Sequence, residues 1–185
     1  VFGLCAHRET LILPRIAGLA LAAFAVMRGI ARSREPRSLL GLCGFPSRRM
    51  LFVALCIVLG VALGVYYRYR QERPLLPEAL TYMCLVSAAI GLGEEVIYRG
   101  FVQGSLRRYS VIVAILAGAG AHTAYKCCLF ALPDVAVRAD MLWLAIGTFA
   151  TGIVVGAMRE RWGSLLFPVV FHVAFDVTAY GDLPS

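Results

Sequence analysis

Charge is scarce in this chain. Only 16% of its 185 residues are Asp, Glu, Lys or Arg, against 60% hydrophobic residues, and the mean hydropathy is +0.77. That balance lies outside the usual range of soluble domains and inside that of multispan membrane proteins. Several motifs are absent. Without Cys-x-x-Cys spacing, the six scattered cysteines read as small apolar fillers rather than a zinc site or a disulfide framework. Neither His-Glu-x-x-His nor its reverse occurs, which disfavours the common metalloprotease helix. No Gly-x-Ser-x-Gly-like motif and no pair of facing aspartates in apolar segments appears, which disfavours serine and dual-aspartate intramembrane proteases. There is no internal repeat, low-complexity tract or second domain, so residues 1–185 read as a single transmembrane domain. The first residue is Val, as expected of a fragment, a processed form or a non-standard start. Leu11 to Met27 is longer than a typical signal core and is followed by arginines, unlike a cleavable signal peptide.

What is present is a series of apolar stretches: Leu11 to Met27, Met50 to Tyr67, Leu75 to Gly93, Tyr109 to Leu132, Met141 to Met158 and Leu165 to Tyr180. Each approaches the ~20 residues that cross ~30 Å of hydrocarbon, so the expected fold is an all-α polytopic bundle of about six spans. The third should continue as one helix through Glu94 and Arg99 to about Leu106. Breakers lie between the segments at Pro36, Pro46, Pro74 with Pro77, Pro133 and Gly163. Ser164 is placed to cap the last helix, and Pro168 falls within its first turns. Tyr66, Tyr67 and Tyr69 resemble an interfacial aromatic belt. Gly60 with Gly64, Gly100 with Gly104, and Gly152 with Gly156 have small-xxx-small spacing that permits close helix approach.

The net charge of +7 comes from arginines lying mostly between apolar segments, which points to anionic lipid headgroups rather than nucleic acid. Arg28, Arg32, Arg34, Arg37, Arg48, Arg49, Arg99, Arg107, Arg108, Arg159 and Arg161 fall on one side of a six-span arrangement. Arg8, Arg15, Arg68, Arg70, Arg73 and Arg138 fall on the other. The first side is therefore expected to be cytoplasmic, with both termini outside.

Glu94 and Glu95 end the apolar run Leu80 to Gly93, with Arg99 one turn beyond. A charge near mid-bilayer costs about 3 kcal/mol on insertion scales, so three together point to function. At 1.5 Å per residue, Glu95 lies ~17 Å from Leu106, His122 ~18 Å from Ser110, and His172 and Asp176 ~12 and ~18 Å from Ser164. These groups can therefore meet in one layer. Glu95 and Arg99 are four residues apart, which favours an ion pair. Glu94 is rotated off that face, lacks a sequence-local cation, and so is the candidate general base. His172 and Asp176 are also four apart, so the carboxylate could fix the imidazole's tautomer, or the two could present donors and acceptors side by side. Lys126, four residues past His122, could share its face, snorkel or line a water-filled cleft, and is assigned no role; His7, near a terminus, is expected to face solvent.

At these residues the chain resembles the CPBP family, the intramembrane glutamic endopeptidases that include CAAX prenyl proteases of the Ras-converting type and bacteriocin-processing or self-immunity proteins. Glu94-Glu95-Val96-Ile97-Tyr98-Arg99-Gly100 is similar to the family's first motif, and the stretch from Gly156 through His172 to Asp176 resembles its last. The resemblance spans a catalytic core of about residues 81–180. Gly118 stands where the family commonly has phenylalanine, four residues before His122, and Asp176 where it often has asparagine. The resemblance implies that Glu94 and His122 position and activate a water, that Glu95 and Arg99 support them, and that His172 with Asp176 faces the oxyanion. An ionised Asp176 would repel that oxyanion, so it would act protonated or through His172. No metal and no cofactor is implied.

The expected activity is hydrolysis of a peptide bond near the cytoplasmic membrane face of a bacterial-type envelope. The substrate class is a membrane-associated or lipid-modified protein, or a peptide with a leader or C-terminal sorting segment. A zinc-dependent variant could use the two glutamates and two histidines. Alternatives are a non-catalytic immunity or regulatory protein that binds a peptide in the same cleft, and a proton or ion carrier using the same buried groups.

Overall fold

The computed structural model describes residues 24–42, 50–130 and 140–182. It contains a helix at residues 24–32 (α1), then α2 (Pro36–Leu39), α3 (Met50–Arg70), α4 (Met83–Glu95), a π-helical stretch (Val96–Val102), α5 (Gln103–Leu106), α6 (Val111–Phe130), α7 (Met141–Trp162) and α8 (Leu166–Tyr180). The protein is an all-α membrane bundle. Among the described residues three helices, Met50–Arg70, Val111–Phe130 and Met141–Trp162, are long and apolar enough to cross a bilayer, and Leu166–Tyr180 is a shorter apolar helix. Large apolar side chains such as Leu51, Leu85, Ile112 and Leu142 are left exposed on the outside of the bundle, as lipid contact requires.

The expected first span, Leu11 to Met27, lies largely outside the described residues. The third differs from expectation at both ends. Pro74 and Pro77 keep residues 71–82 out of helix, so α4 starts only at Met83. Beyond Glu95 the chain does stay helical to Leu106, but through seven residues of π-helix rather than uninterrupted α-helix.

Small residues set the packing. α8 lies against both α3 and α4, and α6 lies against α7. Gly60 sits under the Phe171 carbonyl of α8, and a Cβ on Gly64 would lie 2.6 Å from Thr178 Cβ. On the other side, a Cβ on Gly152 would lie 2.9 Å from Ala119 Cβ, and one on Gly156 3.2 Å from Ile115 Cγ2. Gly100 and Gly104 face Leu40 and Leu39. Helix ends follow local chemistry. Asp140 Oδ1 accepts the amides of Leu142 and Trp143 to cap α7. Gly163 closes the helix with φ +63°, a conformation that favours glycine. Ser164 Oγ accepts the Leu166 amide at the start of α8.

The aromatic belt is only partly realised. Tyr69 is exposed, but Tyr67 turns inward, with ring centroids 5.9 Å from Phe175 and 5.4 Å from Tyr180. Tyr66 approaches Trp143 of α7 at 6.3 Å. Nearby, the fully buried Arg68 holds the end of α3 to the C-terminal segment: its guanidinium donates to Asp182 at 2.8 and 2.7 Å and to the Leu76 carbonyl at 3.1 Å. Arg73 donates to the same aspartate at 2.6 Å.

Candidate active site

Four helical elements bring the charged groups to one level. Glu94 and Glu95 close α4, Arg99 stands in the π-helical stretch, His122 and Lys126 project from α6, and His172 and Asp176 project from α8. All but Lys126 are buried, with Glu95 only 1% exposed. Glu94 is 11 residues from Met83 and 12 from Leu106, which puts it about midway along the combined helix, ~17–18 Å from either end. The widened turn that follows is of the kind found mostly at functional sites.

Glu95 is the hub of the buried network. Its Oε1 accepts from Arg99 Nη1 at 3.0 Å and lies 2.7 Å from His172 Nδ1. Its Oε2 is buried with no hydrogen-bond partner among the described residues. Arg99 Nη1 also lies 2.9 Å from His122 Nδ1. A guanidinium can only donate, so Nδ1 of His122 is the acceptor and the ring's proton sits on Nε2. That Nε2 is 3.0 Å from Glu94 Oε2 and donates to it. By the same logic His172 donates through Nδ1 to the Arg99-bound Glu95. Its Nε2 is left facing Glu94 Oε2 at 3.4 Å and Asp176 Oδ2 at 3.7 Å.

Two expectations need correction. Glu94 is not without a cation, because α6 supplies Lys126, whose Nζ lies 2.7 Å from Glu94 Oε1. The orientation of His172 is fixed by Glu95, 77 residues away in sequence, and not by Asp176, whose 3.7 Å separation is too long for a hydrogen bond. Asp176 instead lies against the backbone of α4. A Cβ at Gly91 would come within 2.6 Å of its Oδ2, so only glycine leaves the space.

At the sequence level Tyr98 is given no place and Lys126 no role. The Tyr98 ring stacks on His122 at 4.8 Å and 25°, and Lys126 meets the glutamate. Each carries a spacing signal: Tyr98 is one turn beyond Glu94, and Lys126 one turn beyond His122. Gly118 abuts the π-helical stretch, where a Cβ would lie 3.1 Å from the Tyr98 carbonyl.

A cleft of about 380 Å³ reaches this layer from between the two helix groups. Glu95, Arg99, His122, Lys126 and His172 form its polar part, and Leu63, Tyr67, Trp143, Val155, Phe171 and Phe175 contribute to an apolar part. It extends to Arg70, Gln71 and Asp140 at one end of the bundle. An apolar cleft with a few convergent polar groups is the usual form of a ligand site. Glu94, His122 and His172 also present potential ligand atoms within 4.8 Å of one another, a donor set that could hold a divalent ion, although Lys126 brings positive charge to the same carboxylate.

A family model described as Rce1-like, type II CAAX prenyl endopeptidase Rce1-like, matches residues 75–178, a stretch that contains Glu94, Glu95, Arg99, His122, Lys126, His172 and Asp176. No curated protein and no solved structure matches the chain.

Proposed function

Because the chain belongs to the Rce1-like family of type II CAAX prenyl endopeptidases, and so is an intramembrane protease of the CAAX type, we propose that it hydrolyses its peptide bond with a water activated by Glu94 and His122. The observation that carries this reading is the directed chain of hydrogen bonds from Arg99 through His122 to Glu94. It leaves a carboxylate base held by an imidazole whose tautomer is fixed.

A water at Glu94 gives up a proton to the carboxylate as its oxygen attacks the scissile carbonyl carbon. The developing oxyanion faces His172, which Glu95 holds in place from behind. When the C–N bond breaks, the proton held by Glu94 passes to the leaving amine, so no covalent acyl-enzyme forms. Asp176, being only an acceptor when ionised, acts through His172 or in a protonated form.

The substrate is a membrane-associated or lipid-modified protein, or a leader or C-terminal sorting peptide, entering by the apolar cleft. The arginine-rich end of the bundle faces the cytoplasm of a bacterial cell, with the reaction near the cytoplasmic face of its inner membrane. The test is cleavage of a peptide library by the purified protein in detergent, with Glu94→Ala and His122→Ala alongside. Loss of cleavage in both variants is expected; cleavage that survives both changes removes the mechanism.

A further inference from the structure

Lys126 is the only lysine in the chain, all seventeen other basic residues being arginine. It stands inside an apolar helix, four residues before the end of α6, where a cation is costly unless it has a task. Its Nζ lies 2.7 Å from Glu94 Oε1. The ammonium therefore balances the carboxylate at one oxygen and keeps further N–H donors for a second acceptor. Lys126 also lines the cleft by which substrate arrives. Arg99, the other cation of the layer, is already engaged by Glu95 and by His122.

We propose that Lys126 is a catalytic residue that donates to the scissile carbonyl oxygen and stabilises the oxyanion as Glu94 becomes neutral. This role rests on the hydrolytic reading given above. Before reaction, the positive charge of Lys126 balances the ionised Glu94. As the O–C bond forms, the water's proton neutralises Glu94 and the carbonyl's π electrons move onto its oxygen. Negative charge thus leaves the carboxylate and appears a few ångströms away, within the sweep of a flexible four-carbon side chain with three donors. The lysine follows the charge. When the C–N bond breaks, the carbonyl re-forms, the proton on Glu94 goes to the leaving nitrogen, and Lys126 returns to the restored carboxylate. His172, set among the carboxylates of Glu94, Glu95 and Asp176, acts as the imidazolium: Nδ1–H stays on Glu95 and Nε2–H, on the Oε2 side of Glu94, supplies the second donor. Lysine suits this role better than arginine, since a compact charge on a rotatable stem can serve two acceptors in turn.

The experiment uses the full chain in lipid nanodiscs and a fluorogenic peptide chosen from the library cleavage. It compares wild type with Lys126→Met, Lys126→Arg, Lys126→Ala and Glu94→Gln. Loss of one oxyanion donor lowers kcat about 10²–10³-fold, so Lys126→Met should lose that much kcat with KM held within about threefold. Lys126→Arg should recover part of the rate, and added ethylammonium should raise the rate of Lys126→Ala while tetramethylammonium, which has no N–H, should not. A structural role predicts neither the kcat-specific loss nor the selective rescue. If Lys126→Met does not assemble, the ethylammonium arm and Lys126→Arg decide the matter. Lys126→Met with wild-type kcat beside an inactive Glu94→Gln overturns the role of the lysine and leaves the hydrolytic reading standing. Full activity in both variants overturns both, as does a wild-type protein that cleaves no peptide.

Discussion

Arg99 Nη1 donates to His122 Nδ1 across 2.9 Å, and this one contact settles which imidazole nitrogen carries the proton. The arginine thereby acts at Glu94 without touching it, because the Nε2–H of His122 is directed at its carboxylate. It also compensates Glu95 in a layer where an unpaired charge is strongly disfavoured.

Arg99→Gln should therefore do two things. It strands a buried glutamate, which costs about 3–5 kcal/mol when one partner of such a pair is removed, and it frees the His122 tautomer. A lowered thermal midpoint in nanodiscs, together with cleavage reduced beyond the loss of folded protein, is the expected result. Unchanged melting would show that Glu95 does not depend on this partner.

Glu94→Gln should keep the fold and lose about 10²–10⁴-fold in rate, the usual contribution of a positioned base. Wild-type cleavage should persist in a strong chelator. If chelation abolishes it and added zinc restores it, the set formed by Glu94, His122 and His172 works as a metal centre.

Gly91→Ala tests the seat of Asp176. The new methyl group would lie 2.6 Å from Oδ2 and 3.4 Å from His172 Cδ2, so Asp176 has to shift and the imidazole with it. Reduced kcat with little change in melting is expected. Gly60→Val, on the α3 side of α8, presses instead on the Phe171 carbonyl and on Ala174. It should cost about 1–3 kcal/mol of stability, read as a lower melting temperature.

Asp182 gives the pH dependence its sign. Hydrogen bonds from Arg68 outweigh the opposing effect of burial and, with the charges of Arg73 and Arg68, hold its carboxyl at about 2 against the ordinary 3.8. A carboxyl whose pKa is depressed by folding adds stability that is full above the unfolded value and is lost as pH falls through the folded one. The clamp should thus be intact above about pH 4 and fail toward pH 2. Asp182→Asn should lower the melting temperature at neutral pH and flatten its decline across that interval.

Much of this layer was legible in the sequence because hydrophilic residues in apolar helices are few and helical rise is regular. Counting 1.5 Å per residue placed Glu95, His122, His172 and Asp176 at a common depth, and the structure brings them together. Four-residue spacing likewise anticipated the contact of Glu95 with Arg99. The links that escaped detection are those between helices. Nothing local tells Glu94 that Lys126 will arrive from α6, or His172 that its partner is Glu95, since rotation of each helix about its axis is set by glycine contacts formed only on packing. The π-helical turn was also hidden, because Val96 to Val102 carries no residue that forbids an ordinary α-helix. The misplaced start of α4 has a simpler cause: Leu75 and Leu76 continue the apolar pattern, but Pro77 and the loop carbonyl bound by Arg68 hold them out of the helix.

The bundle is divided between α3, α4 and α8 on one side and α6 and α7 on the other. Glu94, His172 and Asp176 belong to the first, and His122 and Lys126 to the second. A small sideways separation of the two groups would pull the base away from both of its α6 partners at once, while each helix stayed intact. What keeps those groups together is the contact of α7 with α8 and of α6 with the π-helical stretch that continues α4. An acyl chain or a substrate helix lodged in the seam would throttle turnover or license it without touching a single reacting atom.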